Sequence, residues 1–267
     1  MGKRNNSEKY AESFTREEVM VVAGSRELKD GDIALVGVGL PQASAILAKY
    51  THAPKLKILL EIGIADPKPV HPAIGLGDPR IWYNAAYMGS WLDIMGASLH
   101  RGIVDVGFLS GIQVDQYGNI NSTMVGSLEK PVRHFTGSGG ANDIASLAKR
   151  FIIIMRHEKR RFPKRVDYVT SPGYVDGVEG RKRVSLRPGG PVKVLTDLAV
   201  LGFDEKSKKM KLISIHPGVS VKSVVENTGF ELIIADKVPT TPPPTIEEQK
   251  IMRTVIDPDG KLLWKKH

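Results

Sequence analysis

Glu61 ends an apolar run, Ile58-Leu-Leu60, and is followed by Gly63 and the turn-forming pair Asp66-Pro67. Consecutive apolar residues suit a short strand buried on both faces of a parallel sheet. A carboxylate at the carboxyl end of such a strand lies where open α/β sheets bind their ligands. Desolvation there penalises the anion, so the group is either paired, reactive or fanned out into solvent. Spacing alone leaves these readings open, and the solvated strand end is the plainer one. A second stretch with chemical content is Phe135-Thr-Gly-Ser-Gly-Gly-Ala-Asn142. Gly137, Gly139 and Gly140 permit close backbone approach, and a helix beginning near Ala141 would offer amide donors to an anion or a developing oxyanion. No Gly-Lys-Ser/Thr follows, so this is not a P-loop. Glycines that merely spare space are the alternative.

The elements that would position these stretches follow from periodicity. Thr15-Arg-Glu-Glu18 fits a capping box, with Val19, Val22 and Ala23 at helical spacing up to Lys29. Ile33 to Val36 reads as a buried strand, Gln42 to Tyr50 as a helix with Pro41 in its first turn, and Lys57 to Leu60 as the next strand. That is a βαβ unit, which implies parallel pairing. Gly37-Val-Gly-Leu-Pro-Gln42 lacks the third glycine of the dinucleotide fingerprint, so it reads as a tight turn open to a ligand or a neighbouring backbone. Residues 66–102 form a long excursion rich in Pro and Gly, carrying His71, Trp82, Tyr83, Tyr87, Trp91 and His100, with a short helix near Ser90 to Ala97. Local core is the default role for its aromatic rings.

Further strands are expected over Ile103 to Leu109 and Phe151 to Met155, with Gln113 to Asn121 as a hairpin turning at Gly118-Asn119. Shorter strands then follow at Val166 to Thr170, Val192 to Thr196, Ala199 to Phe203, Lys211 to Ile215 and Phe230 to Ile234. Ser220 caps a short helix, and Thr245-Ile-Glu-Glu248 is a second capping box. The fold class expected is α/β, an open and mostly parallel sheet with βα crossovers, in one domain over residues 1–267 with residues 1–13 frayed.

Composition bounds the function. Hydrophobic residues are 41% and charged residues 25%, ordinary for a globular protein. No apolar run approaches the ~18–20 residues that span a bilayer, and the polar stretch from Met1 to Phe14 has no signal-peptide core, so a cytoplasmic protein is expected. The absence of Cys excludes disulfides, zinc–thiolate sites and a cysteine nucleophile, and no metal site is expected. The formal charge of +9 raises the question of nucleic acid. Its densest runs, Arg156 to Arg165 and Lys206 to Lys211, carry no nucleic-acid module and read as solvated surface, attractive at most to a phosphorylated ligand.

Leu60-Glu-Ile-Gly63 together with Phe135 to Asn142 resembles the B-type subunits of the family I CoA-transferases. The resemblance runs from about Phe14 to Asp259. It takes in Gly37 to Pro41, Val114 to Ser122, His157 to Phe162, Asp167 to Gly173, Phe203 to Lys206 and Glu226 to Phe230. It implies a CoA-transferase-like fold, Glu61 as the catalytic glutamate, and Gly137, Ser138, Gly139, Gly140, Ala141 and Asn142 as the loop for coenzyme A and the reacting carbonyl. Coenzyme A would be a substrate, with no tightly bound cofactor. An A-type subunit would be the partner in an A/B heteromer, and CoA would pass from an acyl-CoA to a carboxylic acid through a glutamyl-CoA thioester. Ile62 departs from the small or polar residue common in the family at that place, which bears on the acyl group accepted. An acyl-CoA or ring-opening hydrolase subunit, or a non-catalytic ligand-binding protein of the same fold, are the competing implications.

Overall fold

Ile58, Leu59 and Leu60 are all buried, and alternation sends them to opposite faces of one sheet. Ile58 and Leu60 join Val22 and Leu47 in one apolar cluster, whereas Leu59 joins Ile94, Met95 and Ile144 in another. The strand from Arg150 repeats the pattern: Ile152 and Ile154 enter the first cluster, Phe151 and Ile153 the second. Burial on both faces is what an inner parallel strand requires. The computed structural model describes residues 9–68 and 75–264. Residues 1–8 and His71 lie outside them.

In chain order the strands are β1 (Ile33–Leu35), β2 (Lys57–Leu60), β3 (Ile64–Ala65), β4 (Tyr87–Met88), β5 (Val106–Leu109), β6 (Gln113–Val114), β7 (Ile120–Asn121), β8 (Met124–Gly126), β9 (Pro131–His134), β10 (Arg150–Ile154), β11 (Pro191–Leu195), β12 (Ala199–Phe203) and β13 (Met210–Ile215). A nine-stranded sheet runs β13-β12-β11-β10-β5-β1-β2-β3-β4. Its centre, from β11 to β2, is parallel, and both flanks are antiparallel. This is the expected open α/β sheet with βα crossovers. Helices α1 (Arg16–Arg26) and α2 (Leu40–Tyr50) cover one face, and α3 (Ala141–Leu147) with a π-helical turn at Leu92–Leu99 covers the other. The pairs β6-β7 and β8-β9 stand apart as hairpins, the first turning at Gly118 as expected.

Three expectations fail. Residues 9–13 are not frayed: Tyr10 bridges Thr245, and Ala11 N donates to Pro244 O at 2.9 Å. Their partner segment lies more than two hundred residues away, beyond the reach of local composition. Val166 to Thr170 is no strand: only its end meets β7, in an isolated bridge where Ile120 N donates to Ser171 O and Thr170 N and Ser171 N both donate to Ile120 O. Phe230 to Ile234 shrinks to a single bridge between Ile233 and Lys211.

Two buried polar groups fasten the periphery. Glu18 closes the α1 capping box with Thr15 and, wholly buried, also accepts from Arg253 Nε at 2.6 Å and Nη2 at 3.0 Å. His157 stacks on Phe162 with centroids 4.2 Å apart and bonds the hydroxyls of Thr196 and Thr228, each at 3.0 Å. Burial pushes its pKa down from 6.5 to about 4, against the pull of nearby Asp197 and with a further push from His216.

Glu18→Ala removes a cap and strands a partly buried guanidinium, so chemical denaturation should show a loss of about 2–3 kcal/mol. A loss under ~0.5 kcal/mol would contradict the pairing. For His157 the folded state holds the neutral ring, so the unfolded chain binds the extra proton once pH falls below 6.5. Stability is therefore lost on acidification, by about 2–3 kcal/mol from this group between pH 7 and 4.5. Urea midpoints of the wild type and His157→Gln across that range check it: the variant should show the shallower decline.

Candidate active site

Parallel strands all end on one rim of the sheet, so the segments after β1, β2, β5 and β10 meet there. Glu61 is the first residue past β2 and is half-buried. The turn behind it is held firmly. Gly63 N donates to Leu60 O at 3.1 Å, and Asp66 N to Ile58 O at 2.6 Å. Gly63 has φ +101°, and a Cβ there would lie 2.3 Å from Gly89 O, so only glycine fits. Asp66 pairs with Lys49 and with Lys57. Burial alone would raise the Asp66 carboxyl, but the bonds from Lys49 and Lys57 outweigh it and hold the group below its usual range.

The glycine loop is anchored from outside the cleft. Gly137 N donates to Ser122 O at 2.9 Å, Ser122 Oγ donates to Gly137 O at 2.7 Å, and Asn142 Nδ2 donates to Thr170 O at 2.7 Å. Ser138 caps α3: its carbonyl accepts from Ala141 N at 3.0 Å and its hydroxyl from Asn142 N at 3.1 Å. The first helical amides are therefore occupied, contrary to the expectation that they are free. The amides of Gly139 and Gly140, one step earlier, have no acceptor among the described residues.

Gly140 is where the two stretches meet. A Cβ built on it would fall 2.7 Å from Glu61 Oε2 and 2.6 Å from Met95 Cε. Glu61 makes no hydrogen bond or ion pair among the described residues. An open cleft of ≈ 320 Å³ lies in front of it, walled by Leu35, Val36, Phe108 and Leu109 and floored by Ser138 to Ala141. The structure thus brings Glu61 together with Ser138, Gly139, Gly140 and Ala141, whereas Gly137 and Asn142 hold the loop from behind. Met95 joins the site from the π-helical turn, and nothing in its spacing along the chain marks it. Phe108 and Leu109 carry only a strand pattern in the sequence, and Gly37 and Val38 that of a turn open to a ligand. Chemically, the site presents a carboxylate and peptide N–H donors, each without a partner among the described residues, in an apolar crevice. That is the equipment for attack on a carbonyl and stabilisation of the resulting oxyanion.

A family model for coenzyme A transferase matches residues 18–227. The B-type subunit of glutaconate CoA-transferase from Acidaminococcus fermentans is 41% identical over 256 residues, covering 92% of this chain and 94% of that protein. A chain of the crystal structure of that glutaconate coenzyme A-transferase superposes with a TM-score of 0.90 at 38% identity, covering 97% of this chain and 100% of the other. The B-type subunit of 3-oxoadipate CoA-transferase from Pseudomonas knackmussii is 36% identical over 243 residues, 91% of this chain and 94% of that one. The cholesterol ring-cleaving hydrolase IpdB subunit of Mycobacterium tuberculosis is 30% identical over 257 residues, 91% and 95% of the two chains.

Gly140 has φ −79° and ψ 0°, which alanine adopts freely, so Gly140→Ala is disfavoured only by contact with Glu61 and Met95. Both contacting atoms are the far ends of flexible side chains, so the expected stability loss is about 1 kcal/mol or less, with the Glu61 carboxylate and the Met95 methyl displaced from the loop. Thermal unfolding and a crystal structure of the variant check both, and a carboxylate and a methyl that both stay in place would disprove the contact.

Proposed function

The chain belongs to the coenzyme A transferase family, and from that premise we propose that it is the B-type subunit of a CoA-transferase whose nucleophile is Glu61. It works with an A-type subunit in an A/B heteromer, as the subunit names of its relatives imply. Coenzyme A enters as a substrate within an acyl-CoA, and a carboxylic acid is the second substrate. The same reading puts the enzyme in the cytoplasm, where acyl-CoA thioesters are made and used. Among the described residues no helix is long and apolar enough to cross a membrane.

The reaction follows from the groups at the cleft. A Glu61 oxygen attacks the thioester carbonyl, the C–S bond breaks, and CoA leaves as thiolate from a mixed anhydride. The thiolate then attacks the Glu61 carbonyl carbon of that anhydride, releasing the first acid as a carboxylate and leaving a glutamyl-CoA thioester. An acceptor carboxylate runs the two steps backwards, so the thioester bond is conserved and the kinetics are ping-pong. At each addition the Gly139 and Gly140 amides receive the developing oxyanion, an effect of ~3 kcal/mol per donor in comparable sites. The observation carrying this reading is the contact of Glu61 Oε2 with Gly140 beside amides that have no other acceptor among the described residues.

A hydrolase is the second reading, favoured by the ring-cleaving relative. The cleft is open to solvent on this chain alone, and water reaching the anhydride would divert transfer into hydrolysis.

Incubating the A/B complex with acyl-CoA and no acceptor, then recording intact mass, tests both. Transfer predicts a covalent CoA adduct on this chain that is absent in Glu61→Ala. An adduct on the partner chain, or one that survives Glu61→Ala, would exclude Glu61 as the carrier. Continuous CoA release without acceptor would favour the hydrolase.

A further inference from the structure

Helix α3 leads off from the Gly139 and Gly140 amides, so whatever holds its other end also sets where those amides lie. That end has two open carbonyls. Lys149 N and Arg150 N, which would close the next helical turn, donate instead to Val104 O and Asp105 O as the chain enters β10. Ala145 O and Ser146 O are met by Arg181, whose Nη2 donates to them at 3.0 and 3.4 Å.

Arg181 is 5% exposed, and no carboxylate among the described residues pairs with it. Backbone oxygens take the place of one. Besides the two from α3, Nη1 donates to Gly173 O at 2.9 Å and Pro172 O at 3.3 Å, and Nε to Arg187 O at 3.1 Å. Carbonyl dipoles, the negative end of a helix among them, stabilise a buried cation that lacks a counter-ion. All three nitrogens are spent on backbone, so nothing is left for a ligand, and the role open to this side chain is mechanical.

The stretch that Arg181 ties to α3 is itself fixed. Thr170 N and Ser171 N donate to Ile120 O, Gly173 N donates to Asn119 Oδ1 at 2.9 Å, and a Cβ on Gly173 would lie 2.3 Å from the Gly118 carbonyl carbon. The same stretch receives Asn142 Nδ2 at Thr170 O, near the start of α3. Midway along the helix, Ile144 rests on the bare backbone of Gly107 in β5, where a Cβ would fall 2.2 Å from Ile144 Cγ2. Both ends of α3 are thus clamped to residues 170–173, with the sheet beneath its middle.

We infer that Arg181 is a positioning residue: by anchoring the carboxyl end of α3 to Pro172 and Gly173, it holds the Gly139 and Gly140 amides at the Glu61 carboxylate. A helix this short moves as a rod, so a slip at its far end reaches the loop undiminished. A slip of about 1 Å between reacting groups can cost about 100-fold in rate. The effect on rate rests on the proposed chemistry at Glu61; the clamp does not.

Arg181→Lys and Arg181→Gln in the A/B complex test this. With saturating acyl-CoA and no acceptor, the amplitude of Glu61–CoA adduct formation counts folded sites, and its rate constant reports their geometry. Positioning predicts near-full amplitude in Arg181→Lys with a rate constant lowered about 10- to 100-fold and acyl-CoA affinity unchanged. Arg181→Gln, which also loses the charge, should be slower still. A reduced amplitude with an unchanged rate constant marks a merely structural residue and overturns the proposal, as does a loss confined to acyl-CoA affinity. If the glutamine variant does not fold, the lysine variant decides. Hydrogen exchange in the same complexes reads the clamp without the chemistry: the peptide over residues 137–147 should exchange faster in Arg181→Lys, and an unchanged peptide overturns the clamp. A wild type that forms no adduct, yet differs from Arg181→Lys in that peptide, rejects Glu61 as carrier and leaves the clamp standing.

Discussion

A Cβ on Gly140 would lie 2.7 Å from Glu61 Oε2, so the bare glycine backbone is what lets the carboxylate rest against the loop, and the two chemically distinctive stretches meet at that point. A carboxylate so placed neighbours two peptide N–H groups with no other acceptor among the described residues. Glu61 and the Gly139 and Gly140 amides thus come from segments nearly eighty residues apart in sequence. Neither segment could set the distance alone. It is fixed by anchors outside the cleft: the Asp66 pair with Lys49 and Lys57 behind Glu61, and the Ser122 and Thr170 contacts behind the glycine loop.

Sheet topology explains why these segments meet at all. In a parallel sheet every strand delivers its following loop to the same rim, and the order β10-β5-β1-β2 gathers the residues after four strands side by side. Two of those loops, at Gly37 and Glu61, come from the first βαβ unit. The loops after β5 and β10 add Ser110 and Arg156. The crevice is therefore a property of strand order, and the chemistry is added by what each loop carries into it.

The same scaffold serves relatives named as transferases and a relative named as a hydrolase. Chemistry at a strand-end cleft of this kind depends on how completely water is kept from it. On this chain alone the cleft is open.

Local patterning determined much of this protein. The βαβ unit, the capping boxes at Thr15 and Thr245, the Gly118 hairpin and the buried strands are readable because each depends on residues within one or two turns of one another. Glu61 and the glycine loop stand out as residue types, and their joint resemblance to one family links them. Which amides are free is not legible, because Ser138 caps α3 through contacts that differ by a single residue from the expected ones. Met95, which packs beside Gly140, is invisible in the sequence, because it sits in a π-helical turn whose packing the spacing does not show. The pairing of residues 10–11 with 244–245 is equally hidden. Sequence encodes what neighbours along the chain can satisfy among themselves; distances between segments far apart in it, and hence the site itself, were decided only when two-faced burial forced their strands side by side.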